Sequence, residues 1–383
     1  MGVYFFTGLI SCFFCYLDTT LLREKRNSAT ISRRMFSFFL RLISILIPCF
    51  VAGFRDQGIG TDTINYGLPL FQYARYYDFE STLEYMGLEP GYVLLVYTIT
   101  KCTDKVFWEY FIIEFIIMYF TYKALLNLNL KRNTWYGLFV YYIVFFPFSL
   151  NLMRQMMAAS IVLWAYQYVE NKKLLKYIIS VLVATSIHKV AIITICIYPL
   201  YWIFRDSGED IRSSFQKAIN KHRVSLYCIV IFLALSILAN TRELILLFST
   251  FKRSYMDQVS AMNQQFVIDW RVVVPITMIS LPIFQWCIFQ KNRGKNKLFF
   301  LVIISMSLIF WLMQGISSET YRVTLYFWYF LIIIYPVMLS TTKHRSVGKI
   351  YLIVVGNIYF YIFYIIMLFN HVYPYTSTLL GIG

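Results

Sequence analysis

The chain has 383 residues, 59% hydrophobic and 20% aromatic, with only 14% charged and a formal net charge of +16. Water-soluble domains carry roughly 25% charged and 45–50% apolar residues, so a water-soluble fold is excluded and a bilayer is the natural solvent. A nucleic-acid surface is also the poorer reading, because the basic residues arrive in short clusters between apolar runs, the pattern by which membrane proteins set their orientation.

The N-terminal stretch MGVYFFTGLISCFFCYLDTTLL has no charge before its apolar run and a basic cluster after it. That order is the reverse of a cleavable signal and predicts a retained first helix. A spanning helix needs about 20 mostly apolar residues. Segments of that kind lie at 3–22, 35–53, 106–126, 134–150, 155–170, 173–188, 189–204, 224–240, 271–290, 298–316, 321–341 and 349–370. The expectation is an all-α, polytopic membrane fold of about twelve transmembrane helices in a single domain over 1–383. Cys12 and Cys15 have CxxC spacing but lie inside the first apolar run with no histidine near, and Cys49, Cys102, Cys196, Cys228 and Cys287 are scattered. Neither a disulfide framework nor a metal site is expected.

The cluster REKRNSATISRR (23–34) places the first loop in the cytoplasm and the N-terminus outside. Alternation then puts Lys123, Lys131 and Arg132, NKKLLK (171–176), the 205–223 segment, QKNRGKNK (290–297) and TTKHRSVGK (341–349) inside as well. This parity holds only if EPGYVLLVYTITKCTDK (89–105) does not cross, so that segment is expected to be a re-entrant or interfacial helix. The outer face then comprises long loops at 54–105 and 241–270, the turns near 151–154 and 188–189, the SSET turn and the tail after Asn370.

Polar groups without a topological role gather on that outer side: Arg55, Asp56, Asp62, Glu89, Asn151, Arg154, His188, Arg271, Glu319 and Arg322. Ionisable groups at membrane depth usually face a cavity or a partner. Arg55 and Arg271 sit at helix ends, where snorkelling alone accounts for them, and a lone turn histidine such as His188 is commonly structural. Arg154 is harder to dismiss. It lies between two apolar runs, on the same face as Asn151 if the helix continues, with Gln155 beside it and no acid nearby in sequence. A guanidinium in that setting wants an oxyanion, and arginine suits bidentate phosphate recognition. Gly58 and Gly60 permit a tight backbone from which Asp62 projects, either to orient Arg55 or to take a proton from a sugar hydroxyl. Tyr66, Tyr73, Tyr76, Tyr77 and Tyr85 are suited to stacking on sugars, although an interfacial tyrosine belt is the plainer reading.

Arg55 with IGTD (59–62) and Tyr66, EPGYVLL (89–95), NLMRQMMAASIVL (151–163), ATSIHKVAIIT (184–194) and the terminal YPY (373–375) resemble the EpsG-type family of polysaccharide polymerases, related in role to the Wzy O-antigen polymerases. The resemblance is strongest from about 50 to 200. It implies a GT-C-like glycosyltransferase that needs no cofactor and joins O-antigen or exopolysaccharide repeat units carried on undecaprenyl pyrophosphate. The reaction would take place at the outer, periplasmic face of the bacterial cytoplasmic membrane, with lipid-linked donor and acceptor, surrounding lipids and a chain-length regulator as partners and no nucleic acid. On that reading Arg154, with Arg271 or Arg322, grips the donor pyrophosphate. Arg55, Tyr66, Glu89, Asn151 and Gln155 hold acceptor or sugar, and His188 or Asp62 is the base. The alternatives are a lipid-linked oligosaccharide flippase, an O-antigen ligase and a membrane acyltransferase.

Overall fold

A computed structural model describes residues 2–22, 31–130, 133–205, 270–289, 296–312, 320–342 and 345–383. Among these the chain is helical, with no strand beyond one isolated bridge between Ser377 and Ile382. It divides into two compact units, one of residues 1–195 with 331–383 and one of 196–330.

In the first unit α1 (Gly2–Leu17) and α2 (Ile31–Phe54) lie side by side. Their polarity is inverted relative to a soluble helix. Phe5, Phe6, Leu9, Phe13, Phe36, Phe38 and Phe39 are exposed, while Thr7, Gly8, Ser11 and Ser44 are buried. The Ser11 hydroxyl donates to the Ser44 carbonyl at 2.6 Å across the seam. Small and hydroxylated residues inside with aromatics outside is the arrangement a lipid solvent selects, since between helices in lipid only close packing and hydrogen bonds remain to drive association.

The order of packing then runs from α2 to α6 (Phe107–Asn127), from α6 to α9 (Met153–Glu170), and from α9 to α10 (Leu174–Ile187). α9 is buried almost all round, which marks it as the centre of the unit. Ala158, Ala159 and Ser160 let its neighbours approach. On the other flank α7 (Thr134–Val140) packs on α1 and on α15 (Leu331–Thr341), and α16 (Arg345–Phe360) follows. At Gly137 a Cβ would stand 2.6 Å from the Ile332 carbonyl, so only glycine lets α7 and α15 meet.

The segment 54–105, expected as an outer loop with a re-entrant or interfacial helix at 89–105, is mostly helix. A π-helical turn (Thr63–Gly67) leads into α3 (Leu68–Tyr76), α4 (Phe79–Met86) and α5 (Pro90–Cys102). Asp78 caps α4 by accepting from Ser81 N at 2.8 Å, Gly87 ends it at φ 59°, and Pro90 opens α5. These local signals are polar residues and breakers, which in an apolar chain read as loop until they are seen to start and stop short helices. α5 has 13 residues, about 20 Å of helix, short of a hydrocarbon core of about 30 Å.

The second unit holds α11 (Ile197–Phe204), α12 (Trp270–Phe289), α13 (Lys297–Leu312) and α14 (Thr320–Trp328), with α13 packed on the other three. Helix stands at each expected spanning segment except 224–240, which, with most of the 241–270 loop, lies outside the described residues. Among the described residues four stretches are long and apolar enough to cross a membrane: Gly2–Thr20, Ile31–Phe54, Arg322–Thr341 and Arg345–Ile366.

Candidate functional site

The chain enters the site where α2 ends. Gly60 has φ 84°, and a Cβ there would lie 2.7 Å from the Leu150 carbonyl and 3.1 Å from Asn151 Cα. A glycine is therefore required for the IGTD turn to lie against the end of α8 (Phe146–Asn151). Asn151 completes the contact. Its Oδ1 accepts from Asp62 N at 2.9 Å and Thr61 Oγ1 at 3.3 Å, and its Nδ2 donates to Asn370 Oδ1 at 3.1 Å.

The helix does not run through Arg154 from Asn151. Leu152 leaves the helical region (φ −84°, ψ 54°), ending α8 and starting α9 one residue later. This break separates the two side chains that a continuous helix would have put on one face. Asn151 turns to the Asp62 turn and Arg154 turns elsewhere.

Arg154 meets an acid after all. Its Nη1 donates to Glu89 Oε2 in an ion pair whose side chains are only 14% and 13% exposed. Glu89 stands sixty-five positions away in sequence, so inspection of neighbouring residues missed it. The EPGY motif explains the approach. A Cβ on Gly91 would stand 2.4 Å from Ser186 Oγ and 2.7 Å from the Ser186 carbonyl, so its absence lets the start of α5 touch the end of α10. Glu89 Oε1 then accepts from Lys189 N at 3.1 Å. Buried His188 lies within electrostatic reach. Burial by itself raises the Glu89 carboxyl, but Arg154, the Lys189 amide and His188 outweigh it and hold Glu89 below its ordinary range. The pair therefore persists on acidification until the pH falls through that lowered value. Both Glu89 oxygens thus have protein partners, and the carboxylate holds Arg154 in place.

The Arg154 guanidinium also covers the Tyr66 ring, its Cζ 4.2 Å from the centroid, with the Tyr92 ring 5.9 Å away. The buried Tyr66 hydroxyl lies within electrostatic reach of both Arg154 and the Asp62 carboxylate. Burial foremost, then Asp62, pushes this phenol up against the pull of Arg154, so it stays protonated. Tyr66, Arg154, Glu89 and the 188–189 turn are thus joined, with Asp62 in electrostatic reach of Tyr66. The Arg154 Nε is buried with no hydrogen-bond partner.

Arg55 is enclosed beside this group. It is 5% exposed, its Nη2 reaches Met153 Sδ at 3.2 Å and Thr63 Oγ1 at 3.4 Å, and its Cζ sits 4.3 Å over Tyr110. Gln155 is buried one step along α9. In the second unit, Arg271 begins the helical run after Trp270 with its side chain outside the described set, and Arg322 is half-buried on α14. Their link to the donor rests on sequence position alone. Glu319 lies outside the described residues.

The tail is a component that sequence reading undervalued. His371 O accepts from Gly60 N at 3.0 Å, Thr376 O from Asp56 N at 3.0 Å, and Tyr375 of the YPY motif donates to Val51 O at 2.8 Å. Asp56 is an anchor rather than a site acid, its Oδ1 accepting from Thr378 N at 2.8 Å and Thr378 Oγ1 at 2.9 Å. Asn370 reads in sequence as a helix end; its only local signal is a polar Asn-His pair directly after an apolar run. Glu109 and Glu114, buried on α6, are held by hydroxyl groups. Glu109 accepts from Tyr92 OH at 3.3 Å, and Glu114 from Ser149 Oγ at 2.7 Å and from Tyr141 OH.

The opposite end of this unit holds a different cluster, also unforeseen. Buried Asp18 accepts from Arg41 Nε at 3.2 Å, Tyr122 OH at 3.0 Å and Ser37 Oγ. It is fully engaged and braces α1, α2 and α6.

Gly91→Val is expected to push α5 off α10, at a cost of about 1–3 kcal/mol, and to part Glu89 from Lys189. The check is a lowered Tm together with weaker activity, against a Gly58→Ala control, where a Cβ has open space.

The chain matches the family described as the EpsG family over residues 38–377. No curated protein and no solved structure matches it.

Proposed function

The chain belongs to the EpsG family, and from that premise we propose that it polymerises oligosaccharide repeat units carried on undecaprenyl pyrophosphate. On this reading it is a GT-C-like glycosyltransferase of about twelve spanning helices, with its site on the outer face of the bacterial cytoplasmic membrane. The observation that carries the reading is the buried Arg154–Glu89 ion pair, stacked on Tyr66 and tied to the Lys189 amide, with Asp62 in electrostatic reach of Tyr66.

In the proposed reaction a hydroxyl of the acceptor repeat attacks the anomeric carbon of the donor. A new C–O bond forms as the anomeric C–O bond to the lipid pyrophosphate breaks. The leaving pyrophosphate gains negative charge, which calls for fixed positive charge in a desolvated place. Arg154 supplies it. One arm is held by Glu89, which fixes the plane of the fork, and the Tyr66 ring fixes its height. On this reading the guanidinium N–H groups not taken by Glu89 bind the donor oxyanions, with Arg271 and Arg322 as further candidates from sequence position.

The hydroxyl proton needs an acceptor. Asp62 is half-exposed whereas His188 is 5% exposed, so Asp62 is the better placed base and His188 supports Glu89. Asn151 holds the Asp62 backbone, and Arg55, stacked on Tyr110, is buried support for the site.

The test is reconstitution of the purified protein with a lipid-linked repeat unit. The expected product is a ladder of multiples still bearing one lipid pyrophosphate. Transfer only onto a lipid A core would make it a ligase. Movement of the lipid across the bilayer without transfer would make it a flippase, and either result would overturn the proposal.

A further inference from the structure

The excursion 54–105 carries a second aromatic cluster that the reaction does not use. The rings of Tyr73 and Tyr77 stack at 4.1 Å between centroids and 16° between planes, and Tyr73 and Tyr85 stack at 4.3 Å and 4°. Three phenol rings, from α3, the residue that caps it and α4, thus lie in one pile, Tyr77 and Tyr85 outermost and 50% and 70% exposed. They wall a recess of about 460 Å³ with Pro69, Gln72, Arg75 and Tyr76.

The pile is built into the fold. The inner face of α3 buries Leu70, Phe71 and Ala74, which turns Tyr73 outward. The Asp78 cap and the buried Thr82 fix α4, and with it Tyr85. Exposed flat rings beside a mixture of amide, guanidinium and carboxylate groups match the chemistry of a sugar. Its C–H face packs on a ring and its hydroxyls take hydrogen bonds from the rim.

We infer that this tyrosine pile is a saccharide-binding platform, separate from the reaction centre, that holds the growing polymer. The inference rests on the polymerase reading above. Tyr66, under Arg154, lies just before α3, and Tyr73 follows seven positions later, about 10 Å along a helix. α3 therefore leads from the reacting pair to the platform, where repeats already joined are expected to lie. The rival occupant is the membrane interface, where tyrosines are common. Charge argues against it. Asp78 and Glu84 lie in electrostatic reach of Tyr73, and Glu80 and Glu84 are exposed on α4. These carboxylates repel anionic headgroups and accept from sugar hydroxyls.

The test uses the full-length protein in nanodiscs and, as probe, short delipidated oligosaccharides of the cell's own polymer. Tyr77→Leu and Tyr85→Leu, singly and together, keep helix-compatible apolar bulk on exposed positions, and a Tyr85→Phe variant keeps the ring. Wild-type and Tyr85→Phe protein are expected to bind the oligosaccharide, and the double Leu variant to bind about tenfold more weakly or worse. Joining of the first two repeats should be unchanged and the polymer ladder shorter. Equal binding and equal ladders in wild-type and Leu variants would overturn the platform while leaving the polymerase reading intact. Unchanged saccharide binding with altered dependence on anionic lipid would assign the pile to the membrane and overturn it too. Wild-type protein that makes no polymer from lipid-linked repeats would show that the polymerase reading itself fails, and the platform falls with it.

Discussion

Arg154→Lys is expected to abolish long polymer, with at least about a hundredfold loss of turnover, the usual consequence of removing a donor that stabilises developing negative charge. The substitution keeps one positive charge and most of the side-chain volume. It removes the planar fork. In the native site Nη1 is bound to Glu89, the guanidinium plane lies over Tyr66, and Nε is buried without a partner. A lysine has one compact ammonium, so pairing with Glu89 leaves no second, fixed set of donors for a pyrophosphate. The measurement is the ladder of lipid-linked products in membranes with matched protein levels, alongside Tm. A purely structural ion pair predicts a different outcome: Arg154→Lys lowers Tm somewhat and leaves the ladder normal, since Lys–Glu pairs satisfy charge as well. A normal ladder with a folded Arg154→Lys protein would remove Arg154 from the reaction.

Asp62→Asn carries the second large effect, an expected loss of about 10² to 10⁴ in turnover, as for other positioned bases. The fold should survive it, because Asn151 holds the Asp62 backbone amide and not its carboxylate. An asparagine also keeps a hydrogen-bonding side chain beside the Tyr66 hydroxyl. The loss should therefore fall on turnover with little change in the affinity for lipid-linked donor. His188→Asn is the informative companion. His188 is buried and acts on Glu89 at the end of α10. Its replacement is expected to cost less and to shift donor affinity through Arg154. Should His188→Asn abolish turnover while Asp62→Asn leaves it near normal, the assignment of the base is reversed.

Much of this was legible in the residues themselves. Composition dictates a lipid solvent, because no globular core could hide so many apolar side chains. Among the described residues the apolar runs placed the long helices, though not the short ones of 63–86, since a run of that length in lipid has to satisfy its own backbone. The motifs IGTD, EPGY, NLMRQ and SIHK named the residues that come together, and their glycines are the positions where side chains would prevent the contact: Gly60 against Leu150, Gly91 against Ser186.

What the sequence could not supply is pairing across distance. Arg154 reads as a cation without an acid because its acid is sixty-five positions away, and only the contact of α5 with α10 joins them. Asn151 and Arg154 look like one helical face until a single residue, Leu152, leaves the helix and sends them apart. Asn370 looks like a helix end until the tail folds back onto the Gly60 turn. Local patterns are set by chain geometry, which has periods of a few residues. Charge partners and helix breaks are set by which apolar faces meet, and that is decided only when the whole unit packs.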